Sequence, residues 1–342
     1  MNEIAHLTAC CSGRCLTLSP LPIVAAGDFL SNLILRKELT VIIMKKMKRK
    51  KKISGGKLIL HTFMFLMVCT YVLPLILMIS ISISSDSAIA NFGYTLLPKD
   101  ISFDAYRQVF ANPRQILKSY EVTIIFSVVQ TILAMLLQSM MAYPLSRPNY
   151  KFKGFLQKYI LITMLFSGGL VPHYILFTQY LHLNDTIWIY IIPFLSSAWN
   201  TIVFRTFFQG LPAGLVEAAK IDGASEMGIF IRIILPLSTP VLASLGFMNL
   251  VGKWNDWNTA LLYIRNPDLY SLQYMLQRIL REAEYVKNLQ QTSAAGLVNQ
   301  SDLPAESMKY AMAIIAAGPM LVVFPFFQKY FAKGLTVGAV KG

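Results

Sequence analysis

"EAAKIDGASEMGIFIRIILPL", residues 217–237, decides how the rest of the chain is read. It is polar and helix-prone at its start, carries small residues at Ala218, Ala219, Gly223 and Ala224, and lies between two long apolar runs. The local signals are those of two short helices. Pro212 suits a first helical position, where a backbone N–H is not needed. Glu217, Ala218, Ala219 and Lys220 favour helix. Gly223 permits a sharp bend, and Asp222 can cap a helix that resumes at Ala224. Met227, Phe230 and Ile231 then recur at helical spacing, which predicts one apolar face on a polar platform. On composition alone, a plain interfacial connection between membrane spans accounts for such a segment.

The surroundings supply the membrane. Of 342 residues, 55% are hydrophobic and 14% charged, against roughly a quarter charged in soluble domains. The fold class that follows is an all-α integral membrane protein. The net charge of +14 does not indicate nucleic acid, because the basic residues flank apolar runs instead of forming a face interleaved with stacking aromatics. Cys10, Cys11, Cys15 and Cys69 make neither a CxxC pair nor a Cys/His zinc spacing, so no disulfide or metal site is expected.

A spanning helix needs about 20 mostly apolar residues. Six stretches qualify: 58–83, 120–141, 155–177, 186–208, 233–250 and 308–327. "KKMKRKKK" (residues 45–52) precedes the first, and Arg147, Lys151, Lys153 and Lys158 separate the second from the third. Excess Lys and Arg mark cytoplasmic loops. "QYLHLND", after the third span, has no Lys or Arg, whereas the tail carries Lys329, Lys333 and Lys341. The expected topology is multi-pass with both termini cytoplasmic, which puts residues 209–232 inside the cell. Lys99, Arg107, Arg114 and Lys118 in the first outer loop run against the pattern, but they are spread among Asp86, Asp100 and Asp104. Residues 1–43 have no basic start of the signal-peptide kind. With Met44 opening what looks like a complete start, they are expected to be an over-long gene model or a disordered extension, the first being preferred.

The full spacing of the opening stretch is more specific than its composition. Glu217-Ala218-Ala219, three residues, Gly223, nine residues, Ile233, one residue, Leu235-Pro236 resembles the EAA signature of inner-membrane permeases of binding-protein-dependent ABC importers. The resemblance runs from about residue 58 to residue 342. "KWNDWNTALLYI" (253–264) and "FFQKYFAKGLTVGAVKG" (326–342) are similar to segments of the carbohydrate-importing, maltose-type second permease. It implies the type I importer fold with six spans. The division is then a basic start with first span and outer loop, 44–115, an ABC type-1 transmembrane domain, 116–330, and a cytoplasmic tail, 331–342. The location implied is the bacterial plasma (inner) membrane.

In that family the EAA loop is a coupling helix that docks in a cleft of the ATP-binding subunit. Carried over, Glu217 is the polar anchor, Ala218 and Ala219 the close-contact surface, Gly223 the bend, with Asp222 and Ala224 beside it. A carboxylate takes charge-assisted hydrogen bonds, and small residues let backbones approach. The chain lacks a GxxxxGK[ST] loop, "SGGKL" at 54–58 having neither the spacing nor the Ser or Thr that holds magnesium. No G-x-S-x-G, H-E-x-x-H or carboxylate pair is present, and His6, His61, His173 and His182 are scattered. No catalytic residue and no directly bound cofactor is therefore expected, and ATP and Mg belong to a partner ATPase dimer. The other partners implied are a second permease in a heterodimer, an extracytoplasmic sugar-binding protein and the bilayer.

Candidate pathway residues are polar or aromatic groups near spans: Trp199, Asn200, Asn249, Trp254, Asn255, Trp257 and Asn258. Intramembrane polar groups are functional candidates, yet Trp also belts the interface and Asn ties helices together. Pathway lining or packing is preferred to sugar contact. Leu272, Met275, Leu276, Ile279 and Leu280 mark one face of an outer helix, opposite Gln273, Arg278, Arg281 and Glu282. Contact with a delivering protein and covering of span ends stay equally open for it. "SGGLVP" (167–172) predicts a kink in the third span. Rival functions are an ABC permease for a non-sugar solute, and a channel or scaffold without an energy partner.

Overall fold

The computed structural model describes residues 55–111, 113–291 and 306–337. The extension 1–43, the basic run 45–52, residues 292–305 and residues 338–342 lie outside these. The chain divides into two units at Cys69/Thr70. Helix α1 is Gly55–Ser82, followed by short helices α2 (Asp86–Phe92) and α3 (Asp104–Val109) and by the long α4 (Pro113–Ser146). Next come α5 (Lys153–Leu165), α6 (Leu170–Ile175, continued by a π turn to Tyr180), two 3-10 turns and α7 (Ala198–Gln209). The EAA region forms α8 (Ala213–Ile221), α9 (Glu226–Ile229), a π turn and α10 (Leu235–Leu237). Helices α11 (Thr239–Trp254), α12 (Asn258–Tyr263), α13 (Leu272–Gln291) and α14 (Glu306–Val337) complete the described chain. Outside the helices, one isolated antiparallel bridge joins Ser84 to Ile101.

Helix α4 shows why this is a membrane fold. Ser119, Thr123, Ser127, Gln130, Ala134, Gln138, Ala142 and Ser146 recur at helical spacing and are all buried, while Leu117, Ile124, Ile132 and Leu136 are exposed. A soluble helix has the reverse arrangement. In lipid, small and polar residues mediate helix contact and apolar side chains face the acyl chains. The buried stripe packs against α7 and α11.

Three described helices are long and apolar enough to cross a membrane: α1, α4 and α14. The count rises to as many as six if each of three bent helix pairs is one span. Those pairs fall in the third, fourth and fifth expected spans. The third is bent by 108° between α5 and α6, beyond the kink expected at "SGGLVP", and Gly169 sits there at φ 85°. The fourth bends by 49° at Leu195–Ser197, and the fifth by 77° around Ser238, between Pro236 and Pro240. Two helices also run past their expected ends, since α4 extends well beyond 120–141 and α14 continues through Val337, past the expected tail boundary at 331.

A break inside an apolar layer leaves backbone carbonyls without partners. Here Gln130 Nε2 donates to the Phe194 carbonyl at 2.8 Å and Gln138 Nε2 to that of Leu195 at 2.9 Å. Asn249 Nδ2 in turn donates to Gln130 Oε1 at 2.6 Å and Thr131 Oγ1 at 3.0 Å. Gln130 thus joins α4, α11 and the broken element. Replacing it by Leu leaves the Phe194 carbonyl without its amide donor and deprives the Asn249 amide of its nearest acceptor. The expected loss is about 1–3 kcal/mol for each group left unsatisfied, read as a lower melting temperature in detergent. Asn249→Ala, which removes a tie but leaves the carbonyl bonded, should cost less.

Candidate functional site

The EAA residues form a helix, a tight turn and a second short helix. Val216 and Ala219 of α8 face inward, joining a core with Ala142, Tyr143, Phe230 and Ile234. At the end of α8 the Gly223 N–H bonds to the Lys220 carbonyl at 3.1 Å and the Ala224 N–H to that of Ala219 at 2.9 Å. This pair of bonds is a Schellman closure, which places the residue after the cap in the left-handed region. Gly223 occupies that position at φ 76°. Helix α9 is then capped by Ser225, whose Oγ accepts from the Gly228 N–H at 3.2 Å. The expected capping by Asp222 of a helix starting at Ala224 is corrected accordingly. Asp222 closes α8, its side chain exposed, and Ala224 lies in the turn.

Two further details depart from the sequence reading. Of the alanine pair only Ala218 is exposed, because Ala219 lies on the inner side of α8 with Val216. Met227, Phe230 and Ile231 do not form one face. Ile229, Phe230 and Ile234 point into the core, leaving Met227 and Ile231 on the outside at 53% and 52% exposure. The carboxylates also differ in kind. Glu226 is held by the Tyr143 hydroxyl at 2.8 Å and by Lys220 Nζ at 2.6 Å. Glu217 is exposed and makes no hydrogen bond or ion pair with the described residues. A carboxylate displayed on a helix closed by a Schellman turn, with no partner among the described residues, is available to another chain.

The pathway candidates separate into four groups. Trp254 packs, one of the two roles preferred for it: it is 2% exposed, its Nε1 donates to the Ala316 carbonyl at 2.9 Å, and its ring lies 6.4 Å from that of Tyr120. Asn249 is the helix tie described above. At the far end of α11 from the EAA turn, Asn255 accepts from Gln273 at 3.1 Å, Arg281 stands over the Trp257 ring at 5.4 Å, and Asn258 is exposed. Trp199 and Asn200 begin α7. The Trp199 side chain is exposed, and the Asn200 N–H donates to the capping Ser197 Oγ. Helix α13 forms as expected and packs its Leu272, Met275, Leu276 and Ile279 face with Trp254, Ala311 and Met312, so that face covers the ends of α11 and α14.

One pair escapes the sequence reading. Lys253 Nζ lies 3.0 Å from Asp256 Oδ2 and 3.1 Å from the centroid of the Phe194 ring, both charged side chains being 11% exposed. Asp256 also accepts from the Thr259 N–H and hydroxyl. The signal is present as opposite charges three residues apart at an apolar helix end, where each would be costly alone.

A polar stripe on the buried face of α4, a bent helix pair held by side-chain amides and a capped polar turn between apolar helices are features of a multi-pass membrane protein. The chain belongs to the binding-protein-dependent transport system inner membrane component family, whose model matches residues 53–337. It is 40% identical over 271 residues to the protein LplC of Bacillus subtilis (strain 168), covering 79% of this chain and 90% of that one. The polygalacturonan/rhamnogalacturonan transport system permease protein YtcP of the same organism is 37% identical, with 82% and 95% covered. Among solved structures, a chain of a bacterial ABC transporter involved in import of the acidic polysaccharide alginate superposes with TM-score 0.70 at 26% identity, over 82% of this chain and 98% of that one.

Proposed function

We propose that the chain is one of two permease subunits of an ATP-driven oligosaccharide importer. It spans the bacterial plasma membrane six times with both termini cytoplasmic, and pairs with a different permease. A receptor outside delivers the sugar, and a separate ATP-binding dimer, with ATP and Mg, supplies the energy. The observation that carries this reading is the α8–α9 turn, a rigid displayed element whose exposed Glu217 has no partner among the described residues of a chain without a nucleotide-binding motif. Closure of the ATPase dimer moves this turn and swings the pathway between inward-facing and outward-facing forms, as a rigid-body change. The named relatives and the basic residues beside the apolar runs support the substrate class and the orientation.

A pair of variants, Ala218→Cys and Ala219→Cys, tests it. Ala218 is exposed whereas Ala219 is 8% exposed. A short bifunctional thiol reagent should therefore join the first variant, but not the second, to cysteines introduced in the ATP-binding subunit. Cross-linking that never involves the Ala218→Cys thiol would count against a docked turn.

A further inference from the structure

The motif accounts for Glu217 and Gly223 but not for what ties the turn to the rest of the chain. Helix α9 and the π turn after it are joined to the end of α4 by the Glu226–Tyr143 hydrogen bond at 2.8 Å and by contact of the Tyr143 and Phe230 rings, 5.3 Å between centroids. Arg147, just beyond α4, lies over the Tyr143 ring at 4.6 Å. Its Nε and Nη2 are buried and find no hydrogen-bond partner among the described residues. These two nitrogens form the side of a guanidinium that grips a carboxylate through two parallel bonds. The nearby carboxylate, Glu226, is engaged by Lys220 at 2.6 Å. Arg147, Tyr143, Lys220 and Glu226 all line one cavity of about 450 Å³ between α4 and the turn, with Met227 and Phe230 on its apolar side.

A buried, unfilled guanidinium edge costs free energy that a carboxylate could recover, and Lys220 is a flexible partner that holds a carboxylate through a point charge. The two cations therefore offer Glu226 alternative sites on different elements: Lys220 moves with α8, Arg147 with α4. We propose that Tyr143 and Arg147 are positioning residues that pass movement of the turn into α4, Glu226 leaving Lys220 for the open edge of Arg147 when the turn is driven toward α4. This rests on the importer reading above. Since α4 also holds the broken span through Gln130 and Gln138, displacement of α4 reaches the membrane interior without any further device.

The test uses the assembled importer in proteoliposomes, measuring sugar taken up per ATP hydrolysed. Arg147→Gln and Glu226→Gln should each lower that ratio by about tenfold, the scale of a site-to-site coupling energy. The double variant should be no worse than either single one, because both remove the same contact. A cysteine pair at 147 and 226 should cross-link more readily when the ATPase is trapped closed, and this holds as a readout even where a charge variant assembles poorly. Unchanged ratios in both single variants, or losses that multiply in the double, would overturn the proposal, as would cross-linking indifferent to the ATPase state. A wild-type assembly that takes up no sugar with ATP would instead defeat the importer reading itself.

Discussion

Replacing Gly223 by Val is expected to cut ATP-driven uptake by at least about tenfold, while Gly223→Asn retains most of it. The reason is conformational. A Cβ at this position meets nothing within 4 Å, so crowding is not involved, but the backbone sits at φ 76°. An L residue pays roughly 1–2 kcal/mol there, and a β-branched one more. Asn visits the same region readily. The Schellman bonds from Gly223 and Ala224 are what aim α9 away from α8. If Val lowers the population of the closed turn, the apparent affinity of any protein that docks on it falls by the same factor. Uptake assays on Gly223→Val, Gly223→Asn and Gly223→Ala separate this from a size effect: size alone would rank Asn worse than Ala, whereas backbone preference ranks Asn best.

Reversing the charge at Glu217 is expected to have the larger effect, roughly hundredfold, the loss of a hydrogen bond to a charged group worth about 1.5–3 kcal/mol with repulsion added. Glu217→Gln keeps the shape and some hydrogen bonding, so it should fall between. Glu217 faces away from the core and has no contact to break among the described residues, so Glu217→Lys should insert in the membrane and melt like the wild type. Full uptake with Lys at this position would remove the anchor role. A large drop in melting temperature would show instead that the residue serves the fold.

Much of this molecule can be read from sequence, and what cannot has identifiable causes. Spans announce themselves because a run of apolar residues is a local property. The glycine after α8 is equally local: a small residue just beyond an alanine-rich helix is where a left-handed cap belongs. The break at Leu195–Ser197 follows Pro193, but the Phe194 and Leu195 carbonyls are satisfied by amides 64 and 57 residues earlier. Long-range partners of that kind leave no mark in a hydropathy window. The bend at Ser238 has prolines on both sides, Pro236 and Pro240, and a helix interrupted by prolines is expected to kink. Trp254 is ambiguous in sequence because a tryptophan at a span end looks alike whether it faces lipid, a pathway or the core. The Ala316 carbonyl that settles it is 62 residues away. Ala219 is ambiguous for a related reason, because the motif marks both alanines as small without saying which side of α8 each occupies.

The central claim is that this chain forms a pathway moved by ATP hydrolysis elsewhere, through the α8–α9 turn. Uptake of a labelled oligosaccharide into proteoliposomes holding both permeases and the ATP-binding subunits, with the receptor outside and ATP inside, tests it most directly. Uptake should require ATP and be lost with Glu217→Lys while the assembly stays intact. Equal uptake without ATP, or undiminished ATP-dependent uptake in Glu217→Lys, would contradict it.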